Sequence, residues 1–168
     1  MAKRAATRSR AQKKPKAKPV RRTTASGAGR RGPREDRKSP RTTDALTAPM
    51  KGAEGRTVGH VRLDVTKAGG ARVKRLIYPA GFKWSVDMKP VTGGDYCMHA
   101  HIGFLARGRI RILYADGCRH DFKAPQVVSI DPGHDGWVLG DEPAVLIEID
   151  FERDTVARLG MPAAHQHA

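Results

Sequence analysis

From about residue 57 to residue 151, apolar side chains recur at every second position in short runs, and glycine, proline and aspartate separate the runs. Val61, Leu63 and Val65 alternate with His60, Arg62 and Asp64, which predicts a first strand with one buried face. The Gly69-Gly70 pair marks a turn, and residues 72–78 form a second strand stopped by Pro79 and Gly81. The cleanest alternation sets Ile110, Ile112 and Tyr114 against Arg109, Arg111 and Leu113. Asp116-Gly117 is a strong hairpin turn, and it predicts a return strand over residues 119–122. Residues 127–130, 137–139 and 145–151 read as three more strands, while helical spacing is confined to residues 153–159. About eight short strands divided by turn residues predict an all-β sandwich or barrel.

One stretch stands apart. If residues 94–107 are extended, Cys97, His99 and His101 point to one face and Met98, Ala100 and Ile102 to the other. Three nitrogen and sulfur donors then converge, a set that suits zinc, iron, nickel or copper better than calcium or magnesium. Asp95 is the one nearby carboxylate able to complete a facial set for ferrous iron. Against this stands the reading in which Cys97 is a small buried hydrophobe and the histidines line a metal-free polar pocket.

Charge divides the chain. Residues 1–50 hold 16 lysines and arginines against three acids, a net of +13 out of +15 for all 168 residues. Val20 and Leu46 are the only large aliphatics in that segment after the first methionine and before Met50. It has too little apolar surface to offset the entropy of ordering, so residues 1–55 are expected to be a disordered tail. Lys13, Lys14, Lys16, Lys18, Arg21 and Arg22 suit salt-sensitive, sequence-independent contact with nucleic-acid phosphates, and a purely solubilising extension fits equally well. A transit peptide would need an amphipathic helix, which alanines and one valine do not supply. Two cysteines are too few for a disulfide framework, and no run reaches the ~20 apolar residues of a membrane-spanning helix, so a cytoplasmic protein is expected.

Gly93, the His99/His101 pair, Gly108, the Asp116-Gly117 hairpin and Asp131-Pro132-Gly133-His134 together resemble the cupins, the double-stranded β-helix (jelly-roll) family. The resemblance runs from about Gly81 to Phe151. It implies a cupin barrel over residues 56–155, a C-terminal tail over 156–168 with a short helix at its start, and a homodimer. It also implies a divalent metal (iron, manganese, nickel or zinc) held by two histidines and a glutamate from one motif and a histidine from a second.

The motif fits in two registers. Anchored on Gly93, His99 and His101 take the histidine places, but Leu105 falls on the glutamate and the run to Gly108 is several residues short. Anchored on Gly108, His101 takes the glutamate place and the histidine places fall on Asp95 and Cys97. The second register is preferred because a strand-turn length is harder to change than a ligand. In the second motif the family histidine falls on Gly136, two residues beyond His134.

The expected metal set is therefore Cys97, His99, His101 and His134. Tyr96, Arg109 and Trp137 are weaker candidates for lining a pocket, and an inward arginine would select an anion. Arg111 shares the parity of Arg109, and Trp84 is expected in the core. His120 is expected to be solvated, with His165 and His167 in a frayed terminus. The function expected is a metal-binding cupin with a pocket for a small molecule. The alternative is a non-catalytic ligand or metal sensor held on nucleic acid by the tail.

Overall fold

The computed structural model describes residues 44–167. Nine strands follow in order: β1 (Glu54–Val58), β2 (Val61–Ala68), β3 (Ala71–Tyr78), β4 (His101–Arg107), β5 (Arg109–Tyr114), β6 (Arg119–Lys123), β7 (Gln126–Ile130), β8 (His134–Val138) and β9 (Ala144–Asp150). Between β3 and β4 lie two single-turn helices, α1 (Trp84–Asp87) and α2 (Lys89–Thr92), and after β9 comes α3 (Thr155–Leu159). All pairings are antiparallel. One sheet has the order β1-β2-β3-β9-β4-β7 and the other β6-β5-β8.

The core lies between the sheets, and alternation decides what enters it. Val61, Leu76, Leu105, Val128, Ile130, Ala144 and Leu146 come from the larger sheet, and Ile110, Ile112, Tyr114 and Val138 from the smaller. Phe82, Trp84 and Cys97, from the long β3–β4 connection, complete the cluster. Gly108 joins β4 to β5 with φ +78°, and a Cβ there would lie 2.8 Å from the Pro143 carbonyl oxygen. Only glycine meets both demands.

Three expectations change. The single strand expected around residues 57–65 is two, because a turn at Gly59 (φ +55°) and His60 folds β1 back on β2. Residues 94–100 are not strand: Gly93 and Gly94 both take positive φ, and β4 begins only at His101. The short helices α1 and α2 stand where no helix was expected, with Pro90 in the first turn of α2, where a missing N–H costs nothing.

The expected tail boundary at residue 55 falls inside β1, and the chain before it is engaged. Asp64 and Arg75 face each other across β2 and β3 on the side away from the barrel interior, 3% and 5% exposed, with Arg75 Nη2 2.5 Å from Asp64 Oδ2. Arg75 also donates to the carbonyls of Leu46 (3.0 Å) and Ala48 (2.6 Å), so residues 44–48 cover this pair. Asp44 starts that segment, capping its turn through Leu46 N (3.1 Å) and pairing with Arg107.

Truncating one partner of a buried ion pair strands the other. Arg75→Met should lower unfolding free energy by about 3–5 kcal/mol in urea denaturation. The double change Asp64→Leu/Arg75→Met should recover a large part of that loss. A loss under about 1 kcal/mol for the single variant would show that Asp64 is not held by Arg75.

Candidate metal centre

The β3–β4 connection carries Cys97 to the edge of β8, where it forms a single bridge to His134. Cys97 N donates to His134 O at 2.7 Å, and Gly133 N donates to Cys97 O at 2.8 Å. His101 opens β4 and His134 opens β8. One donor atom from each of Cys97, His101 and His134 falls within 4.8 Å of the other two, and Cys97 Sγ lies 3.7 Å from His101 Nε2. Cys97 and His134 are buried and His101 nearly so.

What stands behind the histidines fixes how they present themselves. His134 Nδ1 lies 2.6 Å from the Asp131 carbonyl oxygen, which only accepts, so this nitrogen carries the proton and Nε2 the lone pair. His101 Nδ1 lies 2.7 Å from Glu148 Oε2 and donates to it in the same way. A histidine backed at Nδ1 by a carboxylate or a carbonyl is the arrangement that orients imidazoles at metal centres. Three donors therefore meet with no backbone rearrangement needed.

Glu148 was not foreseen, nor was the chain of charges behind it. It is 1% exposed on β9 and opposes Lys74 on β3 in register, with Lys74 Nζ 2.5 Å from its Oε1. Lys74 Nζ is also 2.5 Å from Asp150 Oδ2, and Arg72 grips Asp150 at 2.7 and 2.9 Å. The signal was present in sequence. Glu148 and Asp150 share the parity of Leu146, and Lys74 that of Leu76, so all point inward.

Burial alone would favour the neutral form of each group, but the neighbours prevail. Burial pushes the Cys97 thiol up, while the neighbouring histidines, above all the hydrogen-bonded and charged His101, pull it well below the ordinary thiol range. Burial pushes His101 down, while the Glu148 charge and contact with Cys97 raise it above the usual imidazole range. Burial raises Glu148, and the charges of His101 and Lys74 hold it below its ordinary value. Without metal, both shifts favour a thiolate beside an imidazolium.

A cavity of about 480 Å³ opens over this group. Leu76, Phe82, Trp84, Ile110, Ile112 and Trp137 give it apolar walls, and Arg56, Arg72, Lys74, Tyr78, Tyr96 and His99 line it with polar groups. Burial and the charges of Glu148 and Cys97 keep the Tyr78 phenol protonated. His99 is exposed on the wall, its ring centroid 6.4 Å from that of His101, outside the close group of three. The expectation that Cys97, His99 and His101 share one strand face is corrected because the strand starts too late.

Tyr96 and Trp137 do line the cavity; Arg109 does not. In β5 the isoleucines and Tyr114 take the inward positions, so Arg109 is exposed and Arg111 pairs outside with Asp121 at 2.5 Å. His120 is exposed, but His165 is packed flat on Tyr114 (3.8 Å between centroids, 8°), so the terminus holds a partner there. Lys13, Lys14, Lys16, Lys18, Arg21 and Arg22 lie outside the described residues. Among the described residues no helix is long and apolar enough to cross a membrane.

The thiolate is directly observable. With Cys118→Ser leaving one thiol, the ultraviolet thiolate absorbance of metal-free protein at pH 7 should already be near its maximum, because the depressed thiol has lost its proton well below the ordinary ~8.5. His101→Gln should move the transition up by more than one pH unit. Titration of Cys97 near pH 8.5 in the unaltered site would contradict the pairing.

No family model matches the chain, and no curated protein matches it. Solved structures are similar to it. A cupin 2 conserved barrel domain protein from Salinispora arenicola is 20% identical over 67% of this chain and 92% of its own, with a TM-score of 0.46. A cupin-like protein from Thermotoga maritima is 15% identical over 63% and 82%, TM-score 0.44, and an RmlC-like cupin from Shewanella frigidimarina is 12% identical over 66% and 89%, TM-score 0.41. The two facing antiparallel sheets, in the strand orders β1-β2-β3-β9-β4-β7 and β6-β5-β8, give this chain an all-β jelly roll, a double-stranded β-helix.

Proposed function

We propose that the barrel binds one divalent transition metal through Cys97 Sγ, His101 Nε2 and His134 Nε2, and that the cavity beside it takes a small molecule. The observation that carries this reading is the pair of backed imidazoles, His101 on Glu148 and His134 on the Asp131 carbonyl, converging with Cys97. A sulfur and two nitrogens fit zinc, iron or nickel better than a hard cation. Manganese fits least well, since no carboxylate belongs to the close group of three. His99, exposed on the wall nearby, is the residue placed to approach from the open side.

Bound there, a metal would act as a Lewis acid toward a ligand oxygen or water. The chain's own groups do the rest. To hold the ion, His101 would give its Nε2 proton to solvent, while Glu148 would keep the ring oriented. Trp84, Trp137 and Phe82 exclude water from the cavity walls. The Tyr78 hydroxyl offers a proton for hydrogen bonding. Arg56 lines the cavity and makes no ion pair among the described residues, which favours a ligand with an anionic group.

Metal competition with a chromophoric chelator tests this. In a His165→Ala background, which removes a terminal donor, the protein should bind one Zn²⁺, and His134→Ala should weaken binding by at least 100-fold. Glu148→Gln, which keeps the shape and loses the charge, should cost about 10–100-fold. Unchanged affinity in both variants, or no binding by the parent protein, would overturn the assignment.

A further inference from the structure

A second group of donors lies at the β5–β6 hairpin, outside the barrel centre. Cys118 follows the Asp116-Gly117 turn, which is held by Cys118 N donating to Asp116 Oδ1 (2.8 Å) and Tyr114 N donating to Cys118 O (2.9 Å). His120, two residues on, projects to the same side of the hairpin, and its Nε2 is 3.3 Å from Cys118 Sγ. The third donor arrives from the far end of the chain. His165 lies flat on Tyr114, its ring edge-on to His120 at 5.7 Å and 72°. One donor atom each from Cys118, His120 and His165 falls within 4.8 Å of the others.

Two details point beyond packing. His165 Nδ1 sits 3.3 Å from the Asp131 carboxylate, so the proton belongs on that nitrogen and the lone pair on Nε2. That Nε2 is buried and has no hydrogen-bond partner, a costly arrangement for a polar atom without some compensation. A carboxylate behind one imidazole nitrogen with the other left for a ligand repeats the logic of the barrel centre. The 3.3 Å between sulfur and nitrogen is also close to the ~3.5 Å edge expected for a tetrahedral ion with Zn–S near 2.3 Å and Zn–N near 2.0 Å.

We propose that Cys118, His120 and His165 form a second divalent-metal site, of the zinc class, that clips the C-terminal segment onto the β5–β6 hairpin. Asp116 and His167 flank it: His167 Nε2 is 3.1 Å from Asp116 Oδ2, and both lie within 4.8 Å of a His165 donor. They are next in reach for the remaining coordination position. Cys118 binds as thiolate, its proton passing to solvent as the ion arrives. Closing so long a loop with one ion raises the stability of the fold in proportion to how tightly the ion is held.

Co²⁺ added to full-length protein carrying Cys97→Ala and His134→Ala tests the clip independently of the barrel centre. One equivalent should bind with an intense thiolate-to-metal charge-transfer band and tetrahedral visible bands. Cys118→Ser should abolish the charge-transfer band, and His165→Ala should weaken binding at least tenfold. Zn²⁺ should raise Tm in the barrel-disabled protein and not in its Cys118→Ser derivative, a comparison that also reports whether each variant is folded. Binding without the charge-transfer band, or binding that survives both substitutions, would show an adventitious surface ion and overturn the proposal.

Discussion

A carboxylate with 1% exposure has to be held by charge, and in this barrel Glu148 is that carboxylate. Taking an ion out of water costs several kcal/mol even after relaxation, and only close, well-placed counter-charges recover it. Here they are Lys74 on one side and His101 on the other. The line then continues outward through Asp150 to Arg72 and inward through His101 to Cys97. Three cations face three anions along it, so the line is near neutrality although every member carries a charge.

That line is laid across paired strands, and this ties the site to the fold. Lys74 opposes Glu148 and Arg72 opposes Asp150 in the β3–β9 register. A slip of one residue would turn all four outward and bring the other faces of both strands into the barrel. The register that packs Leu76 against Leu146 is therefore the one that puts a carboxylate behind His101. Stability and chemistry share one geometric requirement. The Cys97 thiolate is its consequence, because Glu148 holds the proton on His101 and the imidazolium in turn holds the sulfur's charge.

Much of this was legible in the chain. The short apolar runs at residues 72–78 and 145–151, the alternation at 109–114, the Asp116-Gly117 hairpin and the glycine at 108 announced the strands and their turns. What escaped was what alternation alone cannot carry. The turn at Gly59-His60 is hidden because polar and apolar positions keep alternating through it. Residues 94–100 read as an extension of the strand that follows, yet Gly93 and Gly94 take the chain out of extended conformation, so His99 parts from Cys97 and His101. Arg109 could have been placed outside from the isoleucines beside it, and Glu148 inside from Leu146. His165 could not have been found locally, since only the folded hairpin offers Tyr114 and Asp131 to receive it.

We propose that Cys97, His101 and His134 close on one ion inside the barrel. X-ray absorption at the zinc edge reads this directly, on protein carrying Cys118→Ser and His165→Ala and loaded with one equivalent of Zn²⁺. The first shell should contain one sulfur at about 2.3 Å and two imidazole nitrogens at about 2.0–2.1 Å. Cys97→Ser should remove the sulfur, and His134→Ala should remove one nitrogen. A shell built of oxygens alone, or one unmoved by either substitution, would contradict the claim.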